Sequence, residues 1–522
     1  MRWIDLTIVV LYLVSLVWMG KWFGRRQTST ESYFVAGRSV PAWAMGMSVM
    51  ASLVSSVTFI AYPGSAYGGN WSLLVPGFML LLVLVLVGSV IIPFYREAVG
   101  MSAYEYFGRR FGTPTRIYSS VAFVLGHFGK MGFVYYLVAL TASTMTGWNI
   151  DVIIIVVGIV TVYYTFLGGI EAIIWTDVIQ GFITWVGVVI CLAYLLFVPP
   201  GGPSAVIGLA VENGKFSLGS TDWDFSKGTI PVLLFYGFFW YLQKYTADQT
   251  IVQRYLVAKS DKSALKGVAY GALQTVPVWA VFMLIGTCTW SFFQLTGQTL
   301  PPHITKPDQM FPYFLSSQIP VGLAGLFMAS LMAAATTLSS DLNSIAVVGV
   351  EDVYRYVRPN ATDAQRLRMG KLLVSIFGLG GVVMAEIIIH SNGGALQTWF
   401  TVSAILSGGL AGLFLLAFLS RRANRWGVYA GIVASLIVTA WATITSGPDK
   451  IVEMGSANFP WDPLMIGVVG HIVLVAVGYP ASLLFSKRFT VEGDSPITLW
   501  DWLKIRRAQT VSATPVLKSS SN

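Results

Sequence analysis

The sequence predicts an all-α membrane protein of about thirteen transmembrane helices. Three observations carry that expectation: the composition, the length of the apolar runs and the placement of the basic residues. Of the 522 residues, 55% are hydrophobic and 11% charged, with a mean hydropathy of +0.68. A soluble domain carries about 25% charged residues. Lipid offers backbone amides no partner, which leaves helices or a closed barrel. Barrel strands alternate apolar and polar side chains over ~10 residues. Here runs such as Phe78–Phe94 and Val152–Thr161 are continuously apolar, so a helical bundle is expected.

A spanning helix needs ~20 mostly apolar residues. Thirteen stretches qualify: 5–24, 41–66, 72–95, 117–146, 150–168, 177–198, 229–257, 265–295, 318–350, 370–390, 396–420, 425–446 and 462–486. The first lacks the basic start and small-residue cleavage site of a signal peptide. The expected organisation is one transmembrane domain over residues 1–498. A cytoplasmic tail, 499–522, begins amphipathic and ends Ser-rich and partly disordered. Cys191 and Cys288 each lie in an apolar run and read as core packing.

The basic residues set the orientation. With the N-terminus outside, 26 of the 33 lysines and arginines fall on the inner side and five outside, while Lys130 and Lys244 fall at membrane depth. This positive-inside bias predicts a multi-pass inner-membrane protein with a cytoplasmic C-terminus. The net charge of +9 is then a topology signal with the lipid bilayer as its partner. Nucleic acid is not an expected partner.

Polar residues at membrane depth are costly and usually face a cavity. The second span reads Ala51-Ser52-Leu53-Val54-Ser55-Ser56-Val57-Thr58, then Pro63-Gly64. It reads either as a broken helix whose freed carbonyls bind ions or as close small-residue packing. The ninth span carries Ala333-Ala334-Ala335-Thr336-Thr337-Leu338-Ser339-Ser340-Asp341. Hard cations take oxygen ligands, and this density of hydroxyls points to ion binding. Thr336, Ser339 and Ser340 share one helical face; Thr337 and Asp341 share the adjacent one. Asp177 reads as a helix cap or as a cation ligand. Lys244 has Asp248 at i+4 for an internal ion pair, or it contacts substrate. Lys130 has no acid at helical spacing, so it wants a carboxylate from another helix or from a substrate.

No enzyme constellation is present. The four histidines, at 127, 303, 390 and 471, are scattered, and neither a phosphate loop nor a zinc spacing occurs. The chain carries no nucleotide-binding domain of its own.

Five stretches together resemble the sodium:solute symporter family. They are Glu31–Arg38, Ser55–Tyr67, Gly168-Gly169 through Trp175–Gln180, Asp248-Gln249 through Val252–Tyr255, and Thr336–Ser344 with its Asp341 and Asn343. The resemblance implies the five-plus-five inverted-repeat transporter fold. Its repeats would cover about 41–198 and 229–420, with one extra helix before and two after.

It also implies sites. The commonly shared sodium site would use the carbonyls of Ala51, Val54 and Ala333 and the hydroxyls of Thr336 and Thr337, where many members have serines. A second sodium site, as in sialic acid carriers, would use Asp177, Thr336, Ser339 and Ser340. Ser55 and Thr58 match substrate-contacting hydroxyls of those carriers. Lys130 falls where they place a carboxylate-binding arginine, and Leu53 replaces a hydroxyl. The expectation is a symporter that imports a small organic solute with two sodium ions. The favoured solute is an acidic sugar or other carboxylate, such as a sialic acid. A neutral sugar or polyol symporter is the alternative in the same class, and a membrane-embedded solute sensor is the alternative from another.

Overall fold

The computed structural model describes residues 3–302, 304–305, 307–320, 322–334, 337–389, 408–447, 450, 452–485 and 498–512. Among these residues the chain is helical and contains no β-strand. The bundle helices are α1 (Trp3–Gly24), α2 (Ala42–Leu53), α3 (Ser56–Gly68), α4 (Val75–Ala98), α5 (Thr113–Thr146), α6 (Ile150–Phe197), α7 (Ile230–Ala247) and α8 (Gln249–Val257). They continue as α9 (Asp261–Thr296), α10 (Leu323–Ala334), α11 (Thr337–Val348), α12 (Asp363–Ile389), α13 (Leu410–Leu419), α14 (Arg425–Thr445), α15 (Met465–Leu484) and α16 (Leu499–Ser512). Eight of the described helices are each long and apolar enough to cross a membrane, and α2 with α3 makes a ninth. Large apolar side chains such as Val85, Phe182, Val189 and Ile437 are exposed on the outside of the bundle, which suits a hydrocarbon solvent.

Two expected spans are broken among the described residues. The second divides into α2 and α3, bent by 53°. Val54 and Ser55 between them are extended, and the Ser55 hydroxyl accepts from the Val57 amide to start the new helix. The break therefore falls at Val54–Ser55, whereas Pro63 is accommodated inside α3. At Pro63 the backbone is pressed against Gly286 of α9, where a Cβ would come within 2.1 Å of the Pro63 carbonyl oxygen. The seventh span divides at Asp248, which is extended and caps α8 by accepting from the Thr250 amide at 2.9 Å. In the ninth, α10 and α11 flank residues 335–336, which lie outside the described residues.

The fifth and sixth spans form the single 48-residue helix α6, interrupted at Gly169 (φ 60°, ψ −170°). A straight helix of that length would run ~70 Å, over twice the hydrocarbon thickness. The glycine supplies a conformation that L-residues avoid, and a Cβ there would come within 2.9 Å of the Tyr33 carbonyl oxygen.

Two contacts tie distant segments together. The Val40 amide, leading into α2, donates to the Val257 carbonyl at the end of α8 at 3.1 Å. The amphipathic start of the tail forms α16, which docks through Arg506 to Glu97 at 2.5 Å and Asp261 at 2.7 Å. Residues 513–522 of the tail lie outside the described residues.

Candidate functional site

The α2–α3 break and the last turns of α7 border a cavity with ≈ 610 Å³ of non-atom space, its opening included. Its lining includes Ser52, Leu53, Ser55, Val57 and Thr58 from the α2–α3 break, Lys130 from α5 and Lys244 from the last turn of α7. The four residues the sequence singled out for substrate contact, Ser55, Thr58, Lys130 and Lys244, thus share one cavity. Tyr62, Tyr236, Trp240, Tyr241 and Trp279 build the aromatic part of its wall. Sequence reading did not single these out, although the aromatic density of the seventh span was a signal.

Behind the two lysines runs a buried chain of charges. Lys130 Nζ lies 3.0 Å from Asp341 Oδ2 on α11. His127, one turn before Lys130, places Nδ1 2.8 Å from Asp341 Oδ1 and Nε2 3.0 Å from Asp248 Oδ2. Lys244 Nζ completes the chain 2.5 Å from Asp248 Oδ2. Lys130 therefore has its carboxylate from another helix. Lys244 makes the i,i+4 pair that its spacing suggested. The His127 imidazole thus has a carboxylate at each of its nitrogens. The bridge joins α5 to the α7–α8 break and to α11. Sequence reading noted His127 only as a neighbour of Lys130.

The oxygen-rich residues collect beside this chain. Ala51 lies in the last turn of α2, and the helical partner of its carbonyl would be the amide of Ser55, which has left the helix. Val54 is in the break itself. Ala333 lies one residue before the end of α10, and Thr337 opens α11 and is buried. Thr336 lies outside the described residues. Ser339 and Ser340 are fully or almost fully buried on α11. Asp177 is buried in the interior of α6 rather than at a helix start, so it caps no helix. It accepts from the Ser48 hydroxyl of α2 at 2.6 Å. The Arg254 guanidinium of α8 lies 3.6 Å from Asp177 and donates to Ser340 Oγ at 2.7 Å. Arg254 read in the sequence as an inner-side charge, yet it is wholly buried. Its place within the Asp248–Tyr255 stretch was the only sign of a different role. Gln253 beside it donates to the Phe34 carbonyl at 2.5 Å and to Asn343 Oδ1 at 2.8 Å.

Buried charges persist only when paired, because removing one partner leaves the other without compensation, at a cost of about 3–5 kcal/mol. A cluster of three carboxylates and four bases at membrane depth is therefore a functional feature by default. Broken helices offering hydroxyls and carbonyls to a midplane cavity are the arrangement by which secondary transporters hold ions and solute.

Comparison with known proteins agrees. The sodium:solute symporter family model matches residues 33–435. The sodium/sialic acid symporter NanT of Aliivibrio fischeri is 35% identical over 477 residues, covering 91% of this chain and 92% of the relative. The sodium/sialic acid symporter SiaT of Proteus mirabilis is 31% identical over 488 residues, covering 92% and 95%. A solved structure of a sodium-coupled sialic acid symporter, substrate-bound, outward-open and described as revealing a novel sodium site, superposes with a TM-score of 0.84 at 29% identity. It covers 93% of this chain and 98% of that one. The fold is the five-plus-five inverted-repeat transporter fold, sodium is the coupling ion, and a small organic solute is the cargo. The chain belongs to the sodium:solute symporter family.

Proposed function

We propose that the protein imports an acidic sugar or other carboxylate, such as a sialic acid, together with two sodium ions. One observation carries the substrate class. The charged residues that line the cavity, Lys130 and Lys244, are both cationic, and their aspartate partners stand behind them. An anion entering the cavity meets two ammonium groups and no carboxylate among the described lining residues. Ser55 and Thr58 supply hydroxyls for a polar solute, and the aromatic wall supplies faces for its apolar side. Lysine presents a point charge rather than a bidentate fork, which suits a carboxylate held by one oxygen.

One sodium is assigned to the carbonyls of Ala51, Val54 and Ala333 with the hydroxyls of Thr336 and Thr337. The second is assigned to Asp177, Thr336, Ser339 and Ser340. The described members of both sets are oxygen donors, the ligand type that hard cations take. Filling these sites fixes the α2–α3 break against α6, α10 and α11, so sodium tightens solute and solute tightens sodium. The orientation proposed is N-terminus outside and C-terminus cytoplasmic, from the placement of the basic residues.

The neutral sugar or polyol reading keeps one specific support. Both cavity lysines already have carboxylate partners, so the site is near charge balance without a solute. Uptake into proteoliposomes separates the two. Labelled sialic acid, monocarboxylates, glucose, galactose and inositol are each offered with and without a sodium gradient. Sodium-dependent uptake of an acidic member, with selectivity lost in Lys130→Gln, is expected. Uptake of neutral sugars alone would overturn the anion assignment. Absence of any sodium-dependent flux would favour the solute sensor.

A further inference from the structure

The Arg254 guanidinium stands where a cation of the second sodium site would be held. Its Nη2 donates to Ser340 Oγ at 2.7 Å and lies 3.6 Å from Asp177 Oδ2. Those two side chains come from α11 and α6, and the guanidinium is what bridges them. The residue is entirely buried, so its charge must be met inside the protein.

Its partners are spread over several groups. Nη1 donates to the Thr250 carbonyl of its own helix at 2.7 Å. The contact to Asp177 is too long for a hydrogen bond, and Ser48 already donates to the same Asp177 oxygen at 2.6 Å. The buried Nε has no hydrogen-bond partner among the described residues. A purely structural arginine would be expected to form a bidentate pair with its carboxylate. This one reaches into a set of oxygens that suits a smaller cation better.

A sodium ion at Asp177 and Ser340 would need the lone pairs toward which Nη2 now points. Two positive charges cannot share them in a buried site, because little water is present to screen the repulsion. We propose that Arg254 is a tethered cation that competes with the second sodium ion for the Asp177–Ser340 oxygens. It fills them when the ion leaves and withdraws when the ion binds. The competition rests on the second sodium site proposed above. It gives that site a built-in means of release, since the occupant that replaces sodium is covalently attached and always at hand. Arg254 is thus a positioning residue for ion exchange and touches no solute.

Equilibrium binding of radioactive sodium to the detergent-purified full chain tests this. Wild-type protein should bind two ions, and Asp177→Asn should bind one. Arg254→Gln removes the competitor and should tighten one of the two ions at least tenfold. Arg254→Lys, which keeps a charge with shorter reach, should give a smaller shift and serves if the glutamine variant does not fold. Unchanged or weakened sodium affinity in either variant overturns the competition. If Asp177→Asn still binds two ions, the site assignment fails, and the competition fails with it. If Asp177→Asn loses an ion while the arginine variants bind as wild type, the site stands and only the competition fails. A structure of the wild-type protein in saturating sodium gives a test that needs no variant. The Arg254–Ser340 hydrogen bond should be absent there, and its persistence beside a bound ion overturns the proposal.

Discussion

Lys130 and Asp341, 211 residues apart in sequence, form a buried ion pair of 3.0 Å between α5 and α11. One partner faces the cavity; the other lies one residue beyond Ser340 on the helix assigned to sodium. The pair therefore connects the place where the solute charge is expected to the helix that holds the ion. In Asp341→Asn the ammonium group loses its carboxylate, and thermal unfolding in detergent should report a loss of about 3–5 kcal/mol. An anionic solute would restore the missing charge. Solute should then raise the midpoint more in Asp341→Asn than in wild type. An equal or smaller rise would show that Lys130 is not the partner of the solute anion.

Lys130 itself separates charge from shape. A hydrogen bond to a charged group contributes about 1.5–3 kcal/mol, which corresponds to roughly 10–100-fold in affinity. Lys130→Gln should weaken a carboxylate solute by that factor, whereas Lys130→Arg should retain most of the affinity. Competition binding with a carboxylate and its methyl ester measures the difference. The ester should discriminate wild type from Lys130→Gln far less than the acid does.

The α6 break gives a backbone test. At Gly169 the φ of 60° and ψ of −170° belong to a region that is essentially glycine-only, and a Cβ would meet the Tyr33 carbonyl oxygen at 2.9 Å. Gly169→Ala should cost at least the ~1–3 kcal/mol of such strain. The same change at Gly208, where no heavy atom lies within 4 Å of the added Cβ, should be close to neutral. The difference between the two unfolding midpoints reads the backbone strain and the Tyr33 contact at Gly169 together.

The outline of this fold was legible because lipid enforces it. Long apolar runs can only be helices, and the basic residues mark their ends. The α2–α3 break was legible from its serines, yet its exact position was not: the stretch from Ala51 to Gly64 read as broken in character, and Val54 and Ser55 make the turn while Pro63 is a helix interior residue. The break at Asp248 was hidden because the apolar pattern runs on through it. Side chains at helical spacing could be paired in advance, as Lys244 with Asp248. Lys130 with Asp341 could not, since that pairing exists only once α5 and α11 are packed. The same holds for His127, whose two carboxylates come from two different helices, and for Arg254, which the charge pattern placed at the inner surface and the packing of α8 places in the interior.

The N-terminus of α10 is capped from another helix. Asp5 of α1 is buried, and its Oδ1 accepts from the amides of Gly322 at 2.7 Å and Gly325 at 2.8 Å. These are amides that a helix start leaves without partners, and the negative charge also meets the positive end of the helix dipole. Asp5→Ala should lower stability by about 0.5–2 kcal/mol. If α10 positions the Ala333 carbonyl for sodium, it should also weaken sodium-dependent stabilisation. A loss of stability with an unchanged sodium response would separate the cap from the ion site.

Voltage decides the stoichiometry. Moving one charge through 100 mV is worth ~2.3 kcal/mol, or roughly fiftyfold in accumulation. Two sodium ions entering with one monoanion carry a net charge of one. The same anion with a single sodium is electroneutral, and a neutral solute with two ions carries two charges. Proteoliposomes clamped with potassium and valinomycin should therefore accumulate a carboxylate solute more when the inside is negative, with one charge per solute in the reversal potential. A voltage-insensitive reversal potential would remove one of the two sodium ions. A value of two charges would point to a neutral solute, and the anion-binding role given to Lys130 would fall with it.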